Sequence, residues 1–188
     1  MYQTWEELEH ACLNCSKCGL CEGRTHVVFG AGNQRAKVLF VGEGPGEQED
    51  LQGKPFVGRS GQLLDKMLDA VGLSRQESIF ITNMVKCRPP GNRDPQPDEV
   101  STCLKYLHEQ IRLIDPQYIV CLGRVAAQSL MDPNFKVTKQ HGQFMEKDGV
   151  MMMGTFHPAA LLRNPSQKAD ALDDFCKLRD RLQNQGTA

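Results

Sequence analysis

Cysteine is the residue type with the clearest chemical signature in this sequence, which contains eight of them. Four recur at a regular three-residue spacing near the N-terminus: Cys12, Cys15, Cys18 and Cys21. Cys87 and Cys103 follow far downstream. Thiolates at a C-x2-C spacing are typical of structural zinc sites and of iron–sulfur clusters. The spacing therefore predicts a metal site, held either by the four N-terminal cysteines or by two of them with Cys87 and Cys103, and it favours neither metal.

The two remaining cysteines, Cys121 and Cys176, lie within a predicted strand and a predicted helix, and we interpret them as small buried hydrophobic residues. The N-terminus has neither the basic region nor the apolar stretch of a secretory signal, so the sequence predicts a cytoplasmic protein. Because a reducing cytosol disfavours disulfides, metal binding is the better interpretation of the other six cysteines.

A glycine-rich segment, Gly42–Glu47, follows the first short apolar run of the chain. It differs from a dinucleotide-binding fingerprint, which needs glycine at the position of Glu47. Four acids lie within residues 43–50, which disfavours a phosphate-binding loop. A carboxylate such as Glu43, next to a close backbone turn, could orient a water molecule or stabilise positive charge. The alternative is a tight loop with solvated acids.

Asn83 ends the second apolar run and presents a donor and an acceptor side by side, as recognition of one edge of a nucleobase requires. The alternative is an Asx turn that begins a loop. The Pro- and Gly-rich loop that follows carries Lys86, Arg88 and Arg93 with no acid between them. A compact basic patch of this kind predicts phosphate binding, and its alternative is an ordinary solvated loop.

His157 begins a loop directly after the fourth apolar run, and Pro158 restricts the chain beyond it. This placement favours a functional role, whereas a structural histidine is the alternative. Leu161 and Leu162 form an apolar pair in a polar loop. They predict either a cap on the core or a wedge that fills a vacated base stack.

The elements that position these residues alternate between strands and helices. Four short apolar runs, typical of strands buried on both faces, predict the strands: residues 38–42, 79–83, 118–122 and 150–155. Apolar residues at helical spacing predict the helices: residues 60–72, 97–111, 124–131 and 168–183. This order predicts an α/β domain with a parallel sheet. Ligands bind at the carboxyl ends of such strands, where the loops described above lie.

The length of 188 residues suits one domain, and we predict a single domain, 1–188, with residues 1–30 as a Cys-rich segment packed on it. The net charge of −1, from 22 basic and 23 acidic residues, excludes a general polycation. Any nucleic-acid contact must therefore use a local basic patch. No apolar stretch approaches the roughly 18 residues of a membrane-spanning helix, so no membrane association is expected.

Together these motifs resemble the family 4 uracil-DNA glycosylases, the iron–sulfur branch of the uracil-DNA glycosylase superfamily. The resemblance runs from about residue 10 to 183 and rests on five motifs in one order. They are Cys15-x2-Cys18, Gly42–Gly46, Gly53–Gly58, Thr82–Asn83 followed by Lys86–Pro90 and Cys103, and His157–Arg163. No single motif would be specific, but their common order is.

The resemblance implies a DNA-repair enzyme that flips uracil out of single- or double-stranded DNA and hydrolyses its N-glycosidic bond, leaving an abasic site. It implies a three-layer α/β/α sandwich with a short, mainly parallel, four-stranded sheet. It also implies a structural [4Fe–4S] cluster on Cys15, Cys18, Cys87 and Cys103, with Cys12 as a free thiol beside the cluster. We expect a monomer.

The same resemblance assigns catalytic roles to Glu43, which would favour a sugar cation, and to His157, which would stabilise the uracil anion. Its substrate-binding positions are Gly42, Phe56 and Asn83. Six residues are expected to contact DNA: Lys86, Arg88, Arg93, Leu161, Leu162 and Arg163. Two other classes of function are an iron–sulfur electron carrier and a zinc-stabilised nucleic-acid-binding module without catalysis.

Overall fold

Across residues 1–185, which the computed structural model describes, the central sheet has six strands. They are β1 (Ala31–Gly32), β2 (Val38–Gly42), β3 (Ile79–Asn83), β4 (Tyr118–Leu122), β5 (Phe144–Lys147) and β6 (Val150–Thr155). Their order across the sheet is β1-β3-β2-β4-β6-β5. The middle four, β3, β2, β4 and β6, run parallel and coincide with the four apolar runs. Every residue of β2, β3 and β4 is buried, as expected for strands covered on both faces.

Two outer strands extend the sheet beyond the four that were predicted. β1 pairs antiparallel with β3 at one edge, and β5 pairs antiparallel with β6 at the other. Neither has a strong sequence signal, because β1 is two residues long and β5 exposes its central residues, Met145 and Glu146. The predicted parallel core of the sheet is confirmed, and the sheet as a whole is mixed.

Helices cover both faces of the sheet. They are α1 (Trp5–Leu13), α2 (Leu20–Gly23), α3 (Glu47–Gln52), α4 (Arg59–Ala70), α5 (Pro97–Ile114), α6 (Arg124–Leu130), α7 (Val137–Gln140), α8 (Pro158–Arg163) and α9 (Lys168–Gln185). On one face, residues of α1, α5 and α6 share a core with Leu39 and Val41. On the other face, residues of α4, α8 and α9 share a core with Val38 and Phe40. Because alternate strand residues point to opposite faces, these two cores give the predicted three-layer α/β/α sandwich.

The Cys-rich N-terminal segment shares the core on the α5 side of the sheet. The Trp5 ring packs edge-on against Phe29 and Phe80, with centroid distances of 5.2 Å and 5.1 Å. Leu8 and Cys12, on the same helix, are also buried. Edge-to-face aromatic contacts add to the stabilisation from apolar burial, so the segment is anchored to the sheet through its first helix.

The carboxyl ends of the parallel strands lie along one edge of the sheet. β2 ends at Gly42, which is in register with Asn83 at the end of β3. β6 ends at Thr155, two residues before His157. The segments that carry Glu43, Asn83 and His157 therefore open on the same side of the domain.

Two expectations concern the chain as a whole. The predicted extent of the domain, 1–188, stays a prediction, and residues 186–188 lie outside the described residues. None of the helices in residues 1–185 is both long enough and apolar enough to cross a membrane.

Candidate active site

A cleft of about 860 Å³ lies at the carboxyl edge of the sheet. Four side chains singled out from the sequence line it together: Glu43, Phe56, Asn83 and His157. They come from four separate segments, which follow β2, precede α4, end β3 and precede α8. Such convergence at the ends of parallel strands is typical of the active sites of open α/β sheets.

Gly42 leaves space between two of these side chains. A Cβ atom at this position would lie 2.4 Å from Asn83 Oδ1 and 2.6 Å from Phe56 Cζ. Both distances are shorter than real Cβ contacts, so any larger residue would displace one of the two side chains. Gly42 thus allows Asn83 and Phe56 to approach the same point, and its predicted contact with a substrate stays a prediction.

Asn83 presents a buried acceptor without a partner. The residue is 1% exposed, and within residues 1–185 its Oδ1 is the one buried side-chain oxygen or nitrogen that lacks a hydrogen bond. Buried polar groups are nearly always paired, because an unpaired group costs free energy. An acceptor held in this state at the wall of a cleft is suited to a ligand that brings its own N–H or O–H donor.

His157 is the N-cap residue of α8, and the first turn of this helix fixes the orientation of its ring. Its Nδ1 accepts a hydrogen bond from the backbone N–H of Ala159 at 3.0 Å. Burial, reinforced by the positive charge of Arg163, lowers the pKa of His157 to about 4. The ring is therefore neutral near pH 7. Because Nδ1 is used as an acceptor, the neutral ring carries its proton on Nε2, which is left as a hydrogen-bond donor.

Phe56 lies beside His157, with 5.6 Å between the ring centroids and 32° between the ring planes. The residue is 5% exposed. Its backbone φ is +52°, in the left-handed region that favours glycine. An aromatic ring at the wall of a cleft offers a flat face on which a nucleobase can stack.

Glu43 is half-buried in the cleft among charged groups of both signs. Burial, together with the negative charge of Asp94, raises the pKa of Glu43 to about 7, and Arg124 acts in the opposite direction. Asp94 Oδ2 is itself paired with Arg124 Nη2 at 2.5 Å. The sequence gives no signal for Asp94 or Arg124, because a loop acid and an arginine at the start of a helix belong to no recognisable motif.

Lys86 is buried, which contradicts its predicted contact with phosphate. The residue is 1% exposed, and its Nζ donates to Thr82 Oγ1 at 2.5 Å, Asn83 O at 2.8 Å and Gln110 Oε1 at 2.7 Å. Burial lowers the pKa of Lys86 to about 8. The ammonium group folds back beside the sheet and ties the end of β3 to α5, so it is not available to DNA.

The two arginines of the same loop are neutralised to different extents. Arg93 forms a two-pronged pair with the carboxylate of Glu99, at 2.9 Å and 2.8 Å. This acid was not predicted as a partner of Arg93, because it lies beyond the loop, in the first turn of α5. Arg88 donates from Nε to Asn92 Oδ1 at 2.7 Å, and its Nη2 is 4.0 Å from Glu47. Arg88 is therefore the better placed of the two to meet an external anion.

Leu161 and Leu162 occupy different environments. Leu161 is fully buried and shares a core with Phe175, so its predicted role as a DNA wedge is wrong and the alternative, a cap on the core, is correct. Leu162 is half-buried and lines the cleft with the exposed Arg163. Of the two leucines, only Leu162 is accessible from the cleft and able to project into DNA.

A second cavity lies between the N-terminal segment, the loop after β3 and α5, and six cysteines line it: Cys12, Cys15, Cys18, Cys21, Cys87 and Cys103. Burial raises the pKa of Cys87 to about 11 and that of Cys12 to about 12. Arg24 Nη1 donates to Cys87 Sγ at 3.3 Å, so one cation already faces a thiol of this group. The fold thus brings together the distant cysteines that spacing alone left unassigned.

The arrangement of these thiols suits a cluster. Within residues 1–185, no three His, Cys, Asp or Glu side chains lie close enough together to hold a single metal ion. In a four-iron cubane each thiolate binds a different iron, so the ligands need only surround a common space, as the cavity-lining cysteines do. The remaining two cysteines, Cys121 and Cys176, pack in or against the two cores, as predicted.

The family of this chain is shown by its similarity to known proteins. A family model described as the uracil DNA glycosylase superfamily matches residues 29–183. A type-4 uracil-DNA glycosylase from Archaeoglobus fulgidus is 42% identical, over 94% of this chain and 92% of that protein. Similar proteins of the same name come from Sulfurisphaera tokodaii, at 44% identity over 93% of this chain and 83% of the relative, and from Thermotoga maritima, at 43% over 92% and 91%.

Proposed function

The chain belongs to the uracil-DNA glycosylase superfamily and is a DNA-repair glycosylase that removes uracil, and we propose that the cleft at the end of the sheet performs this reaction. Uracil is flipped out of single- or double-stranded DNA into the cleft, and hydrolysis of its N-glycosidic bond leaves an abasic site. The enzyme acts as a monomer in the cytoplasm.

Recognition of the base is assigned to Asn83, and the unpaired Oδ1 of this residue is the observation that carries the proposal. Uracil presents an N3–H donor next to its O4 acceptor. The Asn83 amide meets this edge with Oδ1 as the acceptor and Nδ2 as the donor. Cytosine presents the opposite order of donor and acceptor, so it leaves two mismatched pairs. The ring of Phe56, which approaches the same point, stacks on the flipped base.

His157 acts on the charge that develops on the base. When the bond between the sugar and uracil breaks, its electron pair stays on uracil and the sugar becomes positive. The Nε2–H of the neutral His157 ring donates a hydrogen bond to the uracil anion. A donor that is already fixed by its other nitrogen needs no rearrangement as the charge appears.

Glu43 acts on the opposite charge. As a carboxylate it favours the sugar cation, and it orients the water molecule that attacks the sugar. Its pKa of about 7, raised by burial and Asp94, means that this carboxylate forms within the physiological pH range. The reaction therefore depends on a neutral histidine together with an ionised glutamate.

Contacts to the DNA backbone are assigned to Arg88, Arg93 and Arg163. Arg163 is exposed and lines the cleft, and Arg88 is no closer than 4.0 Å to its acidic neighbour Glu47. Arg93 reaches phosphate only as part of its pair with Glu99. Leu162 replaces the flipped base in the stack, because it lines the cleft whereas its neighbour Leu161 is held in the core.

The cysteine cavity is assigned to a [4Fe–4S] cluster held by Cys15, Cys18, Cys87 and Cys103. Two of these ligands come from the N-terminal segment, and two come from the loop after β3 and from α5. When bound, the cluster supplies a covalent cross-link between these parts, and no step of the reaction passes through it. Cys12, which is 1% exposed within the core, is left as a buried thiol beside the cluster.

The proposal is tested by release of uracil from single-stranded and paired oligonucleotides that contain it. The enzyme should release free uracil and leave a strand that alkali cleaves. Asn83→Asp places an acceptor opposite the uracil O4, so this variant should release uracil much more slowly. Asn134→Asp, the same change at an exposed position, is the matched control and should leave the rate unchanged.

The competing functions predict different outcomes. An electron carrier would show reversible reduction without release of uracil from any substrate. A zinc-stabilised binding module would retain DNA without cleaving it and would contain one metal ion and no iron. If the intact protein released no uracil, the proposed function would be wrong.

A further inference from the structure

Phe56 has a backbone conformation that its residue type does not favour. Its φ of +52° lies in the left-handed region, where a Cβ atom crowds the backbone. Such residues persist only where the surroundings hold them, and they cluster at functional sites. In this conformation the Phe56 ring lies beside His157 at the wall of the cleft.

One side chain surrounds the carbonyl groups at this position. Arg75 Nη1 donates to Pro55 O at 2.9 Å, and its Nη2 donates to Phe56 O at 2.5 Å and to Gly61 O at 3.2 Å. Its Nε donates to Asp65 Oδ1 at 2.5 Å, which fixes the plane of the guanidinium group. Two of the three guanidinium nitrogens therefore bind the segment that carries Phe56, and the third binds α4.

The start of α4 lies close to the same carbonyl. A Cβ atom at Gly61 would lie 1.9 Å from Phe56 O, so the helix backbone approaches Phe56 as closely as glycine allows. Arg75 also bonds to Gly61 O, so it connects this helical turn to the Phe56 peptide. The left-handed conformation is thus fixed by a close packing contact and by a cation.

We propose that Arg75 is a positioning residue for uracil excision, holding Phe56 in its left-handed conformation so that the ring stacks on the flipped base. The inference rests on the proposed function, because it concerns the stacking role given to Phe56. Arg75 lies in the connection between α4 and β3 and is not among the residues that line the cleft in the described chain. It therefore acts through Phe56 and not on the substrate.

Lysine cannot replace this arginine. The guanidinium group is a planar fork with five donors, whereas the lysine ammonium is a compact point charge. An ammonium group at this site keeps the positive charge but does not reach the two neighbouring carbonyls and the Asp65 carboxylate in one plane. Arg75→Lys is therefore the variant that separates geometry from charge.

The experiment measures the single-turnover rate of uracil release and the inhibition by free uracil. Arg75→Lys should lower the rate by about tenfold to a hundredfold, the scale on which a misplacement of about 1 Å slows a reaction. It should also weaken inhibition by free uracil, which reports binding of the base in the cleft. Arg112→Lys is the matched control, because Arg112 bonds Tyr2 O and Glu109 on the other face of the sheet. The control should keep both values.

A double-mutant cycle with Phe56→Leu decides whether the two residues act together. If Arg75 acts through Phe56, Arg75→Lys should have little further effect on the rate in the Phe56→Leu background. If the two effects multiply, or if Arg75→Lys matches its control, the inference is wrong. Thermal unfolding identifies variants that are simply unstable. For such a case Asp65→Ala, which removes the partner of Nε alone, should shift rate and inhibition in the same direction to a smaller extent.

The proposed function and this inference fail separately. If the proposed function is wrong, the unaltered enzyme will release no uracil. If only the inference is wrong, the enzyme will be active and its rate will fall with Phe56→Leu but not with Arg75→Lys. A rate that Phe56→Leu leaves unchanged would also overturn the inference, because there would then be no stacking for Arg75 to support.

Discussion

The backbone N–H of Ala159 donates to Nδ1 of His157 at 3.0 Å, and this bond determines which nitrogen of the ring carries the proton. A neutral ring with an occupied Nδ1 acceptor has its proton on Nε2. Burial keeps the ring neutral, since it lowers the pKa of His157 to about 4. A single local contact, made by the first turn of α8, thus prepares a donor for the uracil anion.

Removal of this donor should slow the chemical step. We expect His157→Ala to lower the single-turnover rate with saturating enzyme by roughly 10²–10³, the usual effect of one lost oxyanion donor. The affinity for uracil-containing DNA should change little, because the donor acts mainly on charge that appears in the transition state.

The matched control for that measurement is His108→Ala, since His108 is exposed on α5. It should have the wild-type rate and affinity. A wild-type single-turnover rate for His157→Ala would exclude His157 from the chemistry and leave Glu43 as the main candidate.

Uracil excision should increase with pH through the titration of Glu43. Burial and Asp94 raise the pKa of Glu43 to about 7, so the carboxylate that favours the sugar cation forms as the pH rises through that value. We therefore expect kcat/KM to rise between about pH 5 and 8. His157 adds no ionisation in this range, because its pKa is about 4.

Asp94→Asn should move this rise to lower pH. The substitution removes a negative charge next to Glu43 and also releases Arg124 from its ion pair, and both changes favour the Glu43 carboxylate. Asp69→Asn, at an exposed position on α4, should leave the profile in place. A rise that persists unchanged in Glu43→Gln would assign the titration to another group.

The parallel core of the fold was predictable because it depends on local apolar runs. β2, β3 and β4 coincide with the predicted strands, and so does β6. The edge strands were missed, because a two-residue strand has no periodicity and β5 exposes its centre. The positions of Asn83 and His157 at or just after predicted strands indicated that both belong to the site, because ligands bind at the carboxyl edge of a parallel sheet.

The charged residues were less predictable, because their partners are distant in sequence. Lys86 is a residue type that commonly binds phosphate, but its ammonium group is buried and donates to Gln110, 24 positions later in the chain. Arg75 belongs to no motif, since its partners include the backbone carbonyls of Pro55 and Phe56, which leave no trace in a sequence. Such contacts become visible only when the fold is known.

The difference between Lys86 and Arg88 should appear in the salt dependence of DNA binding. Arg88→Ala should reduce the slope of log affinity against log salt concentration by about one, because one phosphate contact is lost. The effect should be similar for any DNA sequence, since phosphate contacts do not depend on the base. Lys86→Met should leave the slope unchanged, because the buried ammonium has no access to DNA.

The same Lys86→Met variant should be destabilised, which thermal unfolding measures. The substitution leaves Thr82 Oγ1, Asn83 O and Gln110 Oε1 without a shared donor inside the protein. A reduced slope for Lys86→Met would show that Lys86 leaves its buried site when DNA binds. An unchanged slope for Arg88→Ala would assign the arginine to the solvated surface.

The cysteines are expected to divide into ligands and bystanders. The purified protein should be brown, with broad absorbance near ~400 nm and about four irons per chain, as a four-thiolate cubane requires. Cys87→Ser and Cys103→Ser should each lower the iron content and the unfolding temperature, because each removes a link between the N-terminal segment and the rest of the domain. Cys176→Ser, on α9 and against the opposite core, is the matched control and should retain its iron.

The choice of N-terminal ligands is tested by Cys12→Ala and Cys21→Ala, which should also retain iron. Loss of iron in either variant would mean that this cysteine, instead of Cys15 or Cys18, is a ligand. A colourless protein that holds one zinc ion would contradict the cluster altogether.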